Sequence, residues 1–158
     1  MRYIDSDGVL ADFTKWVKIH IKESPEPTLG SVYGVDWVMV HYYKEAFLDM
    51  DRCKNSKPYF KMLKSKNTYV LTAVPKLASL KKRFPEIEDI EDRWETLIEN
   101  KYKWFEKYGV PRSKVIITDG SSKKISYCTG PWDVLYDDRE LNVKRWNEAG
   151  GRAYFVEN

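Results

Sequence analysis

The chain has little from which a soft-metal centre or a disulfide framework could be built. Cys53 and Cys128 are its two cysteines, widely separated, with no CxxC pair and no Cys/His cluster. That pattern indicates neither a zinc site nor a disulfide scaffold, and both cysteines are expected as reduced thiols of an intracellular protein. His20 and His41 have no partner at ligand spacing and read as structural or surface residues. No run approaches the ~18 apolar residues that a membrane span needs. Met1 and Arg2 lead straight into Tyr3-Ile4-Asp5, which is not the shape of a signal peptide, so the cytoplasm is the expected compartment. Charge of one sign is also missing: 27 Lys and Arg stand against 24 Asp and Glu, a net +3. So mild a balance does not argue for a nucleic-acid binder. Repeats, low-complexity stretches and long linkers are absent, and 158 residues suffice for one core with a small insertion.

What is present in excess is aromatic side chain, 15% of residues with six Trp and eleven Tyr. A core of this size does not need so many, and some rings are candidates to line a pocket for something flat. Five short runs rich in β-branched and aromatic residues read as buried strands: Arg2-Tyr3-Ile4, Thr68 to Leu71, Lys114 to Ile117, Trp132 to Tyr136 and Arg152 to Val156. Between them, Glu88 to Tyr108 places Ile90, Trp94, Leu97, Ile98, Tyr102 and Phe105 at three- and four-residue spacings. That is the apolar stripe of a helix, stopped by Gly109 and Pro111. Asn142 to Ala149 reads as a second, shorter helix before Gly150-Gly151. Strands alternating with helices predict an α/β fold with a doubly wound parallel sheet. Residues 14–65 differ in character, broken by Pro25, Pro27, Gly30 and Gly34 and rich in aromatics. They read as a small, mainly helical insertion after the first strand, leaving 1–13 and 66–158 as the core.

In an open parallel sheet, ligands bind beyond the carboxyl ends of the strands. The residues expected there are Asp5, Ser6 and Asp7, then Thr72 and Ala73, then Thr118 and Asp119, then Asp137 and Asp138, with Lys123-Lys124 nearby. So many carboxylates repel one another unless a hard cation sits among them, and an all-oxygen donor set suits Mg²⁺. A calcium loop of the EF-hand type is excluded at Asp5-Ser6-Asp7, because the next ligand position holds Val9. The chemistry open to such a group is phosphoryl transfer. A carboxylate can attack phosphorus, cations can neutralise the phosphoryl oxygens, and a second carboxylate can move the proton. Gly8 would let backbone pass close to a bound phosphate.

Asp5-Ser6-Asp7-Gly8-Val9-Leu10-Ala11-Asp12-Phe13 resembles the first motif of the haloacid dehalogenase superfamily, in the form used by its 5'(3')-deoxyribonucleotidase branch. Val70-Leu71-Thr72-Ala73 resembles the second motif, Lys101 to Tyr108 the KYxWxE helix of that branch, and Leu135-Tyr136-Asp137-Asp138-Arg139 its fourth motif. Asn142 to Gly151 is similar to the ending of related phage and bacterial proteins. The resemblance implies that Asp5 is the nucleophile and Asp7 the general acid/base. Thr72 would bond a phosphoryl oxygen and Lys124 would be the stabilising lysine, with Lys123 its alternative. Asp5, Asp137 and Asp138 would hold Mg²⁺ together with the backbone carbonyl of Asp7. Residues 14–65 would be a cap, shorter than that of the nucleotidases. Arg139 would pair with the metal-site carboxylates, Gly8 and Ala73 are candidates to touch phosphate, and Phe13, Phe47, Trp37 and Tyr43 are candidates either to stack a base or to pack in the core.

The function expected is hydrolysis of a small phosphomonoester, a deoxyribonucleoside monophosphate first, by a chain that acts alone or as a homodimer. Two alternatives stand beside it. The same chemistry would serve a sugar phosphate or a polynucleotide 3'-phosphate, and a catalytically idle binding module could share the fold. A nucleophile placed beside an acid/base argues against the idle module. A receiver-type regulator also clusters Asp, Thr and Lys, but has neither DxDG at the first strand nor an inserted cap.

Overall fold

A computed structural model describes residues 1–157. Five strands, β1 (Arg2–Ile4), β2 (Thr68–Val74), β3 (Val115–Asp119), β4 (Val134–Asp137) and β5 (Arg152–Phe155), run parallel in one sheet, in the order β3-β2-β1-β4-β5. Three helices lie between β1 and β2: α1 (Phe13–His20), α2 (Val32–His41) and α3 (Lys57–Met62). Helices α4 (Leu77–Arg83) and α5 (Ile90–Lys107) join β2 to β3, and α6 (Glu140–Glu148) joins β4 to β5. The expected α/β class and parallel sheet are therefore observed, in a Rossmann-like arrangement.

Alternation along the strands explains why both faces of the sheet are covered. Tyr3, Leu71 and Leu135 pack on one face with Trp146 of α6. Ile4, Val70 and Val115 pack on the other with Leu97, Trp104 and Phe105 of α5. The chain builds outward from β1 in one direction to β2 and β3, then crosses back to lay β4 on the other side of β1. The topological switch point therefore falls between the carboxyl ends of β1 and β4, where a parallel sheet opens a crevice.

Sequence expectations change in detail at the strand ends: β3 runs to Asp119 and β4 to Asp137, so Thr118, Asp119 and Asp137 close their strands instead of following them. β2 runs on to Val74 because β3 pairs with it at Thr72↔Ile117 and Ala73↔Thr118, so Thr72 and Ala73 lie inside the strand instead of beyond it. β4 starts at Val134, and Trp132 is a 66% exposed turn residue whose indole N–H donates to the Thr129 hydroxyl at 3.1 Å. Helix α4, with a run of basic residues in its last turn, has too weak an apolar stripe to be read from the sequence. Cys53 and Cys128 are free thiols. Among the described residues no helix is long and apolar enough to cross a membrane. His20 lies between the rings of Trp16 and Tyr42, and His41 stacks on Trp37, so both histidines are packing residues.

Residues 14–65 share their apolar core with the sheet. Trp16, Val17, Val38, Met39, Phe47 and Met50 belong to the same buried cluster as Ile4, Leu97 and Trp104. Polar clamps from α5 secure the segment: the Trp104 indole donates to the Met50 carbonyl at 2.8 Å and Arg93 Nη1 to the Val40 carbonyl at 3.2 Å. The buried Asn100 amide donates to the carbonyls of Tyr43, Lys44 and Ala46 at 2.8, 3.3 and 3.1 Å. Replacing Asn100 with Leu leaves those carbonyls without their donor inside a packed interface. The expected loss is about 1–3 kcal/mol of unfolding free energy, read from denaturant titration; an unchanged midpoint would show that water serves the carbonyls equally well.

Candidate active site

The loop after β1 is wound tightly on itself. The Ser6 carbonyl accepts the backbone N–H groups of Val9, Leu10 and Ala11 at 3.1, 2.8 and 3.0 Å. Gly8 takes φ 85°, a left-handed conformation that only glycine adopts cheaply. The turn points Asp5 and Asp7 to different surroundings. The third aspartate of the stretch is structural: Asp12 caps α1, its carboxylate accepting the Lys15 N–H at 3.2 Å.

Asp5 extends the face of the sheet that carries Tyr3, as Asp137 extends the face that carries Leu135. Over that face lies a 3₁₀ turn, Ser121–Tyr127, and it delivers Lys124. The Lys124 ammonium, 4% exposed, donates to Asp5 Oδ1 at 2.7 Å and to Asp137 Oδ2 at 3.1 Å. Burial works against its charge, but Asp5 and Asp137 outweigh burial and hold its pKa above the ordinary lysine value. Asp137 is fully buried and receives two more hydrogen bonds, from the Asn142 amide at 3.0 Å and from the backbone N–H of Arg139 at 2.9 Å. The expected ion pair of Arg139 with these carboxylates is not formed among the described residues; the residue contributes its backbone instead.

Asp7 and Thr72 are served from the opposite face, by a residue that sequence reasoning missed. Lys101 of α5 is 1% exposed, and its ammonium donates to Asp7 Oδ2 at 3.0 Å and to Thr72 Oγ1 at 2.7 Å. It also lies 4.4 Å from the centre of the Phe47 ring, whose backbone is left-handed at φ 69°. The signal was available. Lys101 continues the apolar stripe four residues after Leu97, and a lysine on the buried face of a helix is rarely there for solvation.

Asp5, Asp137 and Asp138 offer carboxylate oxygens that all lie within 4.8 Å of one another. Burial, then the charges of Asp5 and Asp137, push the Asp138 carboxyl up to about 8, and Asp138 shares a hydrogen bond with Asp5. Asp137 is likewise raised, by burial and Asp5, against the pull of Lys124. A carboxyl that holds its proton to such a pH marks a place short of positive charge, and an oxygen-only donor set of this kind fits a hard cation. Asp7 contributes no side-chain oxygen to the set.

A cavity of about 600 Å³ opens over these groups, between the 14–65 segment and the end of the sheet. Asp5, Asp7, Gly8, Phe13, Phe47, Ala73, Lys124 and Asp138 line it, which brings most of the expected residues together. Thr72 lies behind the wall, fully buried, with its hydroxyl held by Lys101. Lys123 is corrected: its ammonium faces Asp119 at 3.5 Å on the exposed side of the turn, and Lys124 is the lysine at Asp5. Trp37 stacks on His41 and Tyr43 lies under Arg93, so neither ring lines the cavity. Cys53 is no nucleophile, since burial and the nearby acids push its thiol to about 12.

No family model matches the chain, and no curated protein matches it.

The carboxyl of Asp138 ties stability to pH. Its pKa is raised on folding from 3.8 to about 8, so between those values the folded chain binds more protons than the unfolded one. Stability from this group is complete at acid pH and is lost as pH rises through that window. Thermal melts in metal-free buffer are expected to show wild type losing ground to Asp138→Asn from pH 4 towards pH 8. Parallel curves for the two proteins would overturn the assignment.

Proposed function

We propose that the chain is a Mg²⁺-dependent phosphomonoester hydrolase of the haloacid dehalogenase type, acting through an aspartyl phosphate on nucleoside monophosphates, deoxyribonucleotides first. Residues 14–65 serve as its cap, and the cytoplasm suits its two free thiols. One observation supports the reading above the others: two carboxylates on one loop, Asp5 and Asp7, are held by separate buried lysines at the floor of a single cavity. Ion pairing alone does not need that separation, whereas a nucleophile and a proton carrier with different tasks do.

In this mechanism an oxygen of Asp5 attacks the phosphorus, and the bond from phosphorus to the ester oxygen breaks. Asp7 gives its proton to the departing alkoxide. Asp7 Oδ2 is held by Lys101 while Oδ1 is buried with no hydrogen-bond partner, so Oδ1 is the oxygen left to carry the proton. Water then attacks the aspartyl phosphate, Asp7 takes up the proton, and inorganic phosphate leaves with the Asp5 carboxylate restored. Lys124 stays beside Asp5 throughout and offsets the negative charge shared with the phosphoryl group. The carboxylates of Asp5, Asp137 and Asp138, with the Asp7 carbonyl, would hold Mg²⁺. What the bound ion supplies is positive charge against the phosphoryl oxygens, in place of the proton on Asp138.

Phosphate release from a panel of nucleoside monophosphates tests the reading. Asp5→Asn is expected to abolish release, EDTA to do so reversibly, and Lys124→Met to lower kcat by about 10²–10³-fold. Lys123→Met, in contrast, is expected to stay within about twofold of wild type, since its exposed pair with Asp119 contributes little. Turnover that survives in Asp5→Asn, or indifference to EDTA, contradicts the mechanism.

A further inference from the structure

One wall of the cavity bears charges that this chemistry does not use. Helix α2 lines the cavity with Val32, Val35 and Met39, at the spacings of one helix face, and Asp36 sits among them with a side chain only 11% exposed. Beside it on the cavity wall, Arg83 at the end of α4 donates from Nη1 to Asp36 Oδ2. Burial pushes the Asp36 carboxyl up, and Arg83 pulls it back towards the charged form. An ion pair removed from water adds little net stability, and apolar side chains of similar volume commonly serve as well. A carboxylate inserted into an apolar helix face, beside the reacting groups, therefore calls for another reason.

The chemistry of the pair supplies one. Only one oxygen of Asp36 and one nitrogen of Arg83 are engaged with each other. A carboxylate acceptor and further guanidinium N–H donors are left side by side. That edge complements a flat group that offers an N–H next to a carbonyl or ring-nitrogen acceptor, as nucleobases do and sugars do not. The same cavity provides a flat apolar surface, where Phe13 and Phe47 stack with centroids 6.4 Å apart and planes 26° from parallel.

We propose that Asp36 and Arg83 read the hydrogen-bonding edge of a nucleobase and so separate nucleotides from sugar phosphates. The inference rests on the nucleotide reading above and adds the residues that choose the substrate; because base recognition needs no turnover, the two can fail separately. Calorimetric titration of the full chain with thymidine, 3-methylthymidine and 2-deoxyribose, none of which carries phosphate, is the test. Thymidine is expected to bind at least about tenfold tighter than 3-methylthymidine, whose edge donor is blocked, with 2-deoxyribose weaker still. Asp36→Leu, which keeps the bulk and removes the acceptor, and Arg83→Met, which removes the donors, should each erase that preference, with folding checked by thermal melts. Equal binding of thymidine and its methylated form by wild type, or no thymidine binding at all, overturns the proposal without relying on any variant. Discrimination between the two nucleosides with no phosphate released from any nucleotide would sink the hydrolase reading and leave this one standing.

Discussion

Four carboxylates meet at the carboxyl end of this sheet, and two buried lysines make that tolerable. Lys124 reaches Asp5 and Asp137 from one face; Lys101 reaches Asp7 from the other. Taking an unpaired charge out of water costs several kcal/mol even after relaxation, so neither lysine nor carboxylate could sit where it does without its partner. The two faces of the sheet thus do different electrical work. One neutralises the strand-end aspartates, and the other holds the second aspartate of the loop together with Thr72. The positive charge is still too small for the acids present, as the raised carboxyl of Asp138 records.

The strand order makes this arrangement possible. β1 and β4 are neighbours although most of the chain lies between them, so Asp5 and Asp137 meet across the switch point with no contribution from sequence proximity. The backbone N–H of Asp5 donates to the Tyr136 carbonyl at 2.9 Å, which continues the ladder past the formal end of β1 and fixes the level of the two acids. Gly8 then turns the chain sharply enough for Asp7 to face α5. A side chain at that position would strain the turn and move Asp7 away from Lys101.

Much of this was legible in the sequence because it depends on short-range pattern. Short runs of β-branched and aromatic residues marked the strands, the stripe from Ile90 to Phe105 marked α5, and acids following apolar runs marked the carboxyl edge of the sheet. What stayed hidden depends on distance in space. Lys123 and Lys124 are equivalent by pattern, and only the pitch of the 3₁₀ turn buries one and exposes the other. Lys101 reads only as part of a helix motif and is given no role, although its place on the stripe is a clue. Thr72 was expected past the end of β2, but strand length is set by the partner strand, and β3 keeps it in the ladder. Asp36 and Arg83 are separated by 47 positions and by a strand, so nothing local could have joined them.

The inserted segment is where sequence and structure differ most in what they suggest. An insertion broken by Pro and Gly reads as a separate lobe, yet Phe47, Met50 and Trp16 pack into the same cluster as the sheet residue Ile4. The clamps from Asn100, Trp104 and Arg93 add polar anchors along α5. Moving residues 14–65 as a rigid body would break these contacts together. The wall that bears Asp36 is accordingly tied to the same packed core as the floor that bears Asp5. A cavity built in this way would meet a ligand with the ordering cost already met in folding. On the proposed reading, discrimination would come from the shape and hydrogen-bonding edge of a prebuilt space more than from closure around whatever enters.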